Sequence, residues 1–192
     1  MSIEKARAAE VVSGGLTANT GATEGAKATG KYIVECYDKD GNLKWVAETP
    51  NLVVNVGLQY MAGAALTSTT PITSWYIGLY GAASSNNPAS SDTMASHIGW
   101  TENTTYSQST RPAAVFAAAT NANPSVVTNT ANKATYSING TTTIGGAFLT
   151  SDDVKGGTTG TLFSAADFQA PGDRSVVNGD TLNVTYTFSL AG

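Results

Sequence analysis

The chain has 192 residues, with 10 Lys and Arg against 14 Asp and Glu, for a formal net charge of −4. Hydrophobic residues make up 41% and charged residues 12%, about half of the roughly 25% charge usual in globular domains. A core can be built and charge-driven disorder of the whole chain is excluded. So is nucleic acid as a general partner, which needs a basic face to neutralise phosphates.

Residues 1–30 read as an extended N-terminal arm. Ser2 to Val12 has the makings of a short helix, and the Ala, Thr, Gly and Asn run from Ser13 to Gly30 has no aromatic residue with which to order itself. The start, Met1-Ser2-Ile3-Glu4-Lys5, is polar and no apolar core of a signal peptide follows. No stretch approaches the roughly 20 apolar residues of a membrane span. Synthesis and assembly in a reducing cytoplasm are therefore expected, with no membrane partner.

From Lys31 to Asp38, Tyr32, Val34 and Cys36 alternate with Ile33, Glu35 and Tyr37, a strand pattern. Asp38-Lys39-Asp40-Gly41-Asn42 is a hairpin turn in which Gly41 supplies positive φ, and Leu43 to Glu48 is the return strand. The acidic string resembles the start of a calcium loop, but the twelfth position holds Thr49 where that loop needs Glu. Pro50 breaks the strand. Leu58, Met61, Ala62, Ala65 and Leu66 then follow helical spacing, predicting one helix over Val56 to Leu66 with Asn55 as N-cap and its small residues packed on a sheet.

Ser74 to Tyr80 is the most hydrophobic strand. Gly81 to Ser91 reads as a loop, and Thr93 to Thr105 as a helical turn leading to Tyr106. Short strands then recur at Ala113 to Ala117, Ser125 to Thr128, Lys133 to Ile138, Thr142 to Thr150, Gly160 to Ser164 and Leu182 to Leu190, most of them separated by Gly, Asn or Asp. In the last, Leu182, Val184, Tyr186, Phe188 and Leu190 share one face and Thr181, Asn183, Thr185, Thr187 and Ser189 the other. The expected fold is mainly β: a single antiparallel β-sandwich over residues 31–192, compatible with a jelly roll, with one short helix and the N-terminal arm.

Chemistry is sparse. No Asp, Glu, Lys, Arg or His occurs from Thr49 to Ser91, from Pro112 to Asn132 or from Ala134 to Ser151, whereas an enzyme needs such groups to converge on one pocket. Asp152 and Asp153, beside Lys155, read as a solvated loop tip, since neighbours on a strand point to opposite faces. A polysaccharide hydrolase would have to pair two of Asp152, Asp153, Asp167, Asp173 and Asp180 across the scissile bond. The single histidine, His97, lacks Cys or carboxylate company for zinc, and no G-x-S-x-G elbow occurs for a triad. Gly156-Gly157-Thr158-Thr159-Gly160 lacks the Gly-Lys-Ser/Thr ending of a phosphate loop. The lone Cys36 reads as a buried small apolar residue. Lys27, Lys31, Lys39 and Lys44 form the closest cationic group, but Glu35, Asp38 and Asp40 interleave with them. No catalytic, cofactor-binding or metal-binding residue is assigned. Trp75, Tyr76, Tyr80, Trp100 and Tyr106 read as core, with sugar stacking as the other role they could serve.

The order of features resembles a group of small virion proteins of tailed bacteriophages. The resemblance rests on the Gly/Ala/Thr arm, Tyr32-Ile33-Val34-Glu35-Cys36-Tyr37-Asp38, Asp40-Gly41-Asn42-Leu43-Lys44-Trp45 and Asn51-Leu52-Val53-Val54-Asn55-Val56-Gly57-Leu58. It continues through Trp75-Tyr76-Ile77-Gly78-Leu79-Tyr80, Arg111-Pro112-Ala113, Gly145-Gly146-Ala147-Phe148-Leu149 and Gly179-Asp180-Thr181-Leu182-Asn183-Val184-Thr185-Tyr186. It implies a non-enzymatic capsid decoration or cement protein on the outer surface of the head, assembled in the host cytoplasm. Its implied partners are the major capsid protein and copies of itself as a dimer or trimer. The alternative it implies is a tail or head-fibre module that grips a cell-surface glycan. The resemblance brings no catalytic residue and no cofactor.

Overall fold

Eleven residues of β1 (Lys27–Tyr37) pair in unbroken antiparallel register with the last strand, from Lys27 opposite Ala191 to Tyr37 opposite Thr181. The computed structural model describes residues 25–81 and 87–192. After β1 come β2 (Leu43–Pro50), β3 (Leu52–Val53), α1 (Asn55–Leu66), β4 (Tyr76–Tyr80), β5 (Glu102–Asn103), β6 (Ser125–Thr128) and β7 (Ala134–Ser137). Then follow β8 (Thr142–Ile144), β9 (Gly146–Thr150), β10 (Leu162–Asp167), β11 (Arg174–Val176) and β12 (Thr181–Ala191).

The strands form two stacked antiparallel sheets. The first has the order β2-β1-β12, with β6 and β7 both on the far side of β12; the second has the order β3-β10-β9-β4-β5. A small pair, β8 with β11, stands apart from both. Between the sheets, Tyr32, Val34, Cys36, Leu182 and Val184 meet Ile77, Leu79, Ala147 and Leu149. Two buried tyrosines cross this core with their hydroxyls satisfied: Tyr136 donates to the carbonyl of Ile77 at 2.6 Å, and Tyr32 lies 2.9 Å from the Ser164 hydroxyl. Burial raises the pKa of both phenols, which keeps them neutral.

The second sheet is covered on its other face too. There Phe148, Tyr80, Leu162 and Ala165 pack with Val54, Met94 and Trp100 from the flanking segments. Every residue of β9 is consequently buried, the pattern of a strand enclosed on both faces rather than half-exposed. Two cross-strand pairs let rings fit on this crowded face. Gly78 lies opposite Phe148 and Gly146 opposite Tyr80, and a Cβ at either glycine would collide with the opposing ring.

Several sequence expectations are corrected. The first strand starts at Lys27, so the last four residues of the expected arm belong to the sheet. Gly30 fits there because a Cβ would come within 2.7 Å of the Thr187 carbonyl. The rest of that arm, residues 1–24, lies outside the described residues, as do residues 82–86 of the expected loop. The long strand Thr142 to Thr150 is two strands, broken at Gly145, where a Cβ would meet the Gly81 carbonyl at 2.5 Å. Ala113 to Ala117 makes only one isolated bridge, Tyr76 with Ala113; Pro112 removes a donor just before it. Within Thr93 to Thr105 there is no helical turn but a Thr93–Ser96 bridge and the two residues of β5. Strand Gly160 to Ser164 is shifted to Leu162–Asp167. The helix is preceded by an extended Val54 with no side-chain cap, so Asn55 is its first residue and not its N-cap.

The helix is also rotated away from its expected stripe, of which only Met61 packs inward. Gly57 is its one buried residue, pressed against the Phe163 carbonyl where a Cβ would clash, and Tyr60 and Met61 pack on the core beside it. Leu58, Ala62, Ala65 and Leu66 point outward and are exposed. Helical spacing marks apolar rows but cannot say which of two rows faces in. Here Gly57 decides, because only glycine permits so close an approach of helix to strand.

Candidate binding face

Most charged side chains in the described residues are engaged in building the fold. At the hairpin turn, the Asp38 carboxylate accepts from the N–H groups of Asp40 and Asn42, both at 2.9 Å, and these bonds hold its pKa below the usual aspartate value. The string that resembled a calcium loop is thus a turn clamp. Lys44 and Asp180 lie 2.5 Å apart, and Asp180 also accepts from the Val177 N–H. Beside them Cys36 is buried. Desolvation first, and then the Asp180 charge, push its thiol pKa up to about 12, which makes it a poor nucleophile.

Arg111 is the feature that sequence reasoning missed. It is buried, and its guanidinium holds Glu102 with two bonds of 2.9 and 2.7 Å. It also donates to the carbonyls of Asp152 and Gly157 at 2.8 and 2.7 Å and lies 5.3 Å from the Phe148 ring centroid. Lys155 reaches back to the carbonyls of Tyr106 and Gln108. These two cations pin the loop 151–160, the expected solvated loop tip, onto the body of the protein. The only signal for it in the sequence is an arginine followed by Pro112 and a charge-free run, a pattern that carries no sign of burial.

Of the five aspartates considered for hydrolysis, Asp167 and Asp173 lie near one another beside the Tyr80 hydroxyl, whereas Asp152 and Asp180 are engaged elsewhere. Asp152 is bonded to Thr159 and to the Val154 N–H in the pinned loop, while Asp180 pairs with Lys44. Asp167 accepts from the buried Tyr80 hydroxyl at 3.2 Å. Its pKa is raised by burial and, more weakly, by the neighbouring Asp173. Among the described residues, no group of three His, Cys, Asp or Glu is placed to hold a metal ion. His97 stacks on Trp100 with centroids 3.8 Å apart and its Nδ1 lies 2.8 Å from the Trp100 carbonyl. Of the five aromatics with a second possible role, Tyr80, Trp100 and Tyr106 are buried. Trp75 and Tyr76 remain partly exposed.

One open region among the described residues is apolar and uncharged. A cleft of about 200 Å³ runs between α1 and the end of the first sheet. Tyr60 and Met61 of α1 line it together with Phe116, Val127, Trp75, Phe163 and Phe188. The rings meet edge to face: Tyr60 with Trp75 at 5.4 Å, Trp75 with Phe163 at 5.4 Å and Phe163 with Phe188 at 5.5 Å. No lining residue is charged. The charge-free runs of the sequence converge here, since residues 49–91 supply α1 and Trp75, and residues 112–132 supply Phe116 and Val127. On the outer side of α1, Leu58 and Leu66 are 44% and 85% exposed.

Strand edges offer less. On its outer side β2 has no partner among the described residues, but it carries Lys44, Glu48 and the donor-less Pro50, the features that blunt an edge. Residues 117 and 120 hydrogen-bond across the outer side of β6. In the second sheet, β3 and β5 are only two residues long. Contact with another molecule is therefore through side-chain faces more readily than through strand addition. No helix in the described residues is long and apolar enough to cross a membrane. No family model, no curated protein and no solved structure matches the chain.

Proposed function

We propose that this chain is a non-enzymatic structural protein of a tailed-bacteriophage virion, a decoration or cement protein that binds the outside of the head and stabilises the shell. The observation that carries the reading is the division of labour on the surface. Among the described residues most charged groups are tied up in turns, loops and ion pairs, while the aromatic cleft beside α1 is apolar and free of charge. Such a surface suits extended contact with other protein subunits. The residues that line the cleft include no acid or base, unlike a catalytic pocket or the basic face of a nucleic-acid site. The sequence resemblance to small phage virion proteins points the same way. In this reading the major capsid protein and further copies of the chain are the partners. Many weak contacts repeated over the lattice add up by avidity, and binding only the expanded shell stabilises it by mass action.

The test is to add the purified chain to expanded heads that lack it and to follow the temperature at which the heads release DNA. The expected result is saturable binding at a copy number matching the lattice and a higher release temperature. Absence of binding, or binding confined to the tail, would overturn the proposal, and the second outcome would favour a fibre or receptor-binding role.

A further inference from the structure

The outward row of α1 is apolar, exposed and without a partner among the described residues. The helix carries no charged side chain at all, so its outer face lacks the i,i+4 ion pairs that normally support a solvent-facing helix. Exposed Asn55 and Gln59 flank the row, in which Leu58 and Leu66 leave apolar surface in solvent. The inner side is covered by β10 at Gly57, by Trp75 and by Phe163. The outer side is open to an occupant among the described residues.

The row itself indicates which one. Leu58, Ala62 and Leu66 are spaced four apart, with a small residue at the centre and a leucine at each end. Set antiparallel to a copy of itself, about a two-fold axis through Ala62, the row is self-complementary. Leu58 of each helix meets Leu66 of the other, Ala62 meets Ala62, and Gln59 lies across from Ala65. The central alanines allow the axes to approach to the short end of the usual 8–10 Å range. Residues 49–91 contain no charge, so the net charge of −4 does not oppose this contact locally. Other occupants fit less well. A charged partner finds nothing to pair with, a bilayer surface finds no Lys, Arg, Trp or Tyr anchor in the row, and the strand edges that would recruit a strand lie elsewhere.

We propose that a second copy of this chain docks on α1 through an isologous, antiparallel α1–α1 contact centred on Ala62. The contact deepens the assembly reading but is tested on the protein alone, so its failure and the failure of capsid binding are separate results. One helix of 12 residues spans about 18 Å. It buries less than the roughly 800 Å² per partner of a standard stable interface, so the dimer is weak in dilute solution and gains its effect where neighbours are held close.

The experiment is sedimentation equilibrium of the full chain over a concentration series up to about 1 mM, a range that reaches interfaces below the standard size. The expected mass rises from 19.6 kDa toward twice that value. Ala62→Glu places two like charges on the axis and is expected to hold the mass at the monomer value throughout. Leu43→Glu, on the exposed start of β2, is the control and is expected to dimerise like the parent. Matching thermal unfolding of the three proteins shows that each is folded. A parent that stays monomeric, including one whose own residues 1–24 cover the row, overturns the proposal. So does association that survives Ala62→Glu, or a stoichiometry other than two.

Discussion

Replacing Arg111 with methionine removes the guanidinium and keeps a similar apolar bulk against Phe148. The structure sets the scale of the damage. The Arg111 side chain is 0% exposed and that of Glu102 is 9% exposed, so the change leaves a nearly buried carboxylate whose one remaining bond is from the Gly156 N–H. It also leaves the carbonyls of Asp152 and Gly157 without their guanidinium donor. Breaking a buried pair by removing one partner costs about 3–5 kcal/mol. At this chain length about 2–4 °C is lost per kcal/mol, which gives a Tm lower by roughly 6–20 °C. Guanidinium unfolding at pH 7, followed by tryptophan fluorescence, is the assay; an unchanged slope shows that the loss is one of stability and not of cooperativity. Pairing Arg111→Met with Glu102→Gln removes the stranded charge and is expected to recover at least about 1 kcal/mol. The account of the pinned loop is refuted by a loss below about 1 kcal/mol for Arg111→Met, or by a double variant no more stable than the single.

Three further outcomes follow from the packing and the charges. Gly78→Ala sets a methyl group against the Phe148 ring and is expected to destabilise by about 1–3 kcal/mol, as overpacking does; an unchanged unfolding midpoint contradicts the cross-strand glycine–ring fit. Cys36, with its pKa near 12, is expected not to react with a disulfide reagent at pH 8 in the native chain and to react fully after unfolding. Fast native labelling would show that the strand opens. Asp167→Asn keeps an acceptor for the Tyr80 hydroxyl and removes a carboxylate whose folded pKa is raised above the ordinary 3.8. A raised pKa means that the ionised form is disfavoured by folding, with a penalty absent below the unfolded value and complete once pH exceeds the folded one. The variant is therefore expected to unfold at a higher midpoint at pH 7 and to lose that advantage below about pH 4. An equal gain at both pH values would locate the effect elsewhere.

The β character of the chain is legible because β12 alternates so regularly and because Gly41 and Gly179 stand where the turns adopt positive φ. The pattern of β1 misled at its start, since Ala28, Thr29 and Gly30 look like linker residues. Their pairing is set by β12, which lies far away in sequence. The direction of α1 was not legible either, because both of its rows are apolar and the choice between them depends on contact of Gly57 with β10. Burial of Arg111 was hidden for a similar reason: its partners come from residues 102, 152 and 157, brought together only by the fold. The charge-free runs were visible at once. Their convergence on one cleft is a tertiary fact that the runs themselves do not contain.

Electron microscopy of phage heads decides whether this chain coats them as proposed. Heads are compared after incubation with the full chain, with the Ala62→Glu variant and with a chain lacking residues 1–24, a cut that spares β1. Regular density over the shell with the full chain, weakened in one or both altered chains, is the predicted result. A bare shell at saturating protein, or density only at the tail, would contradict it.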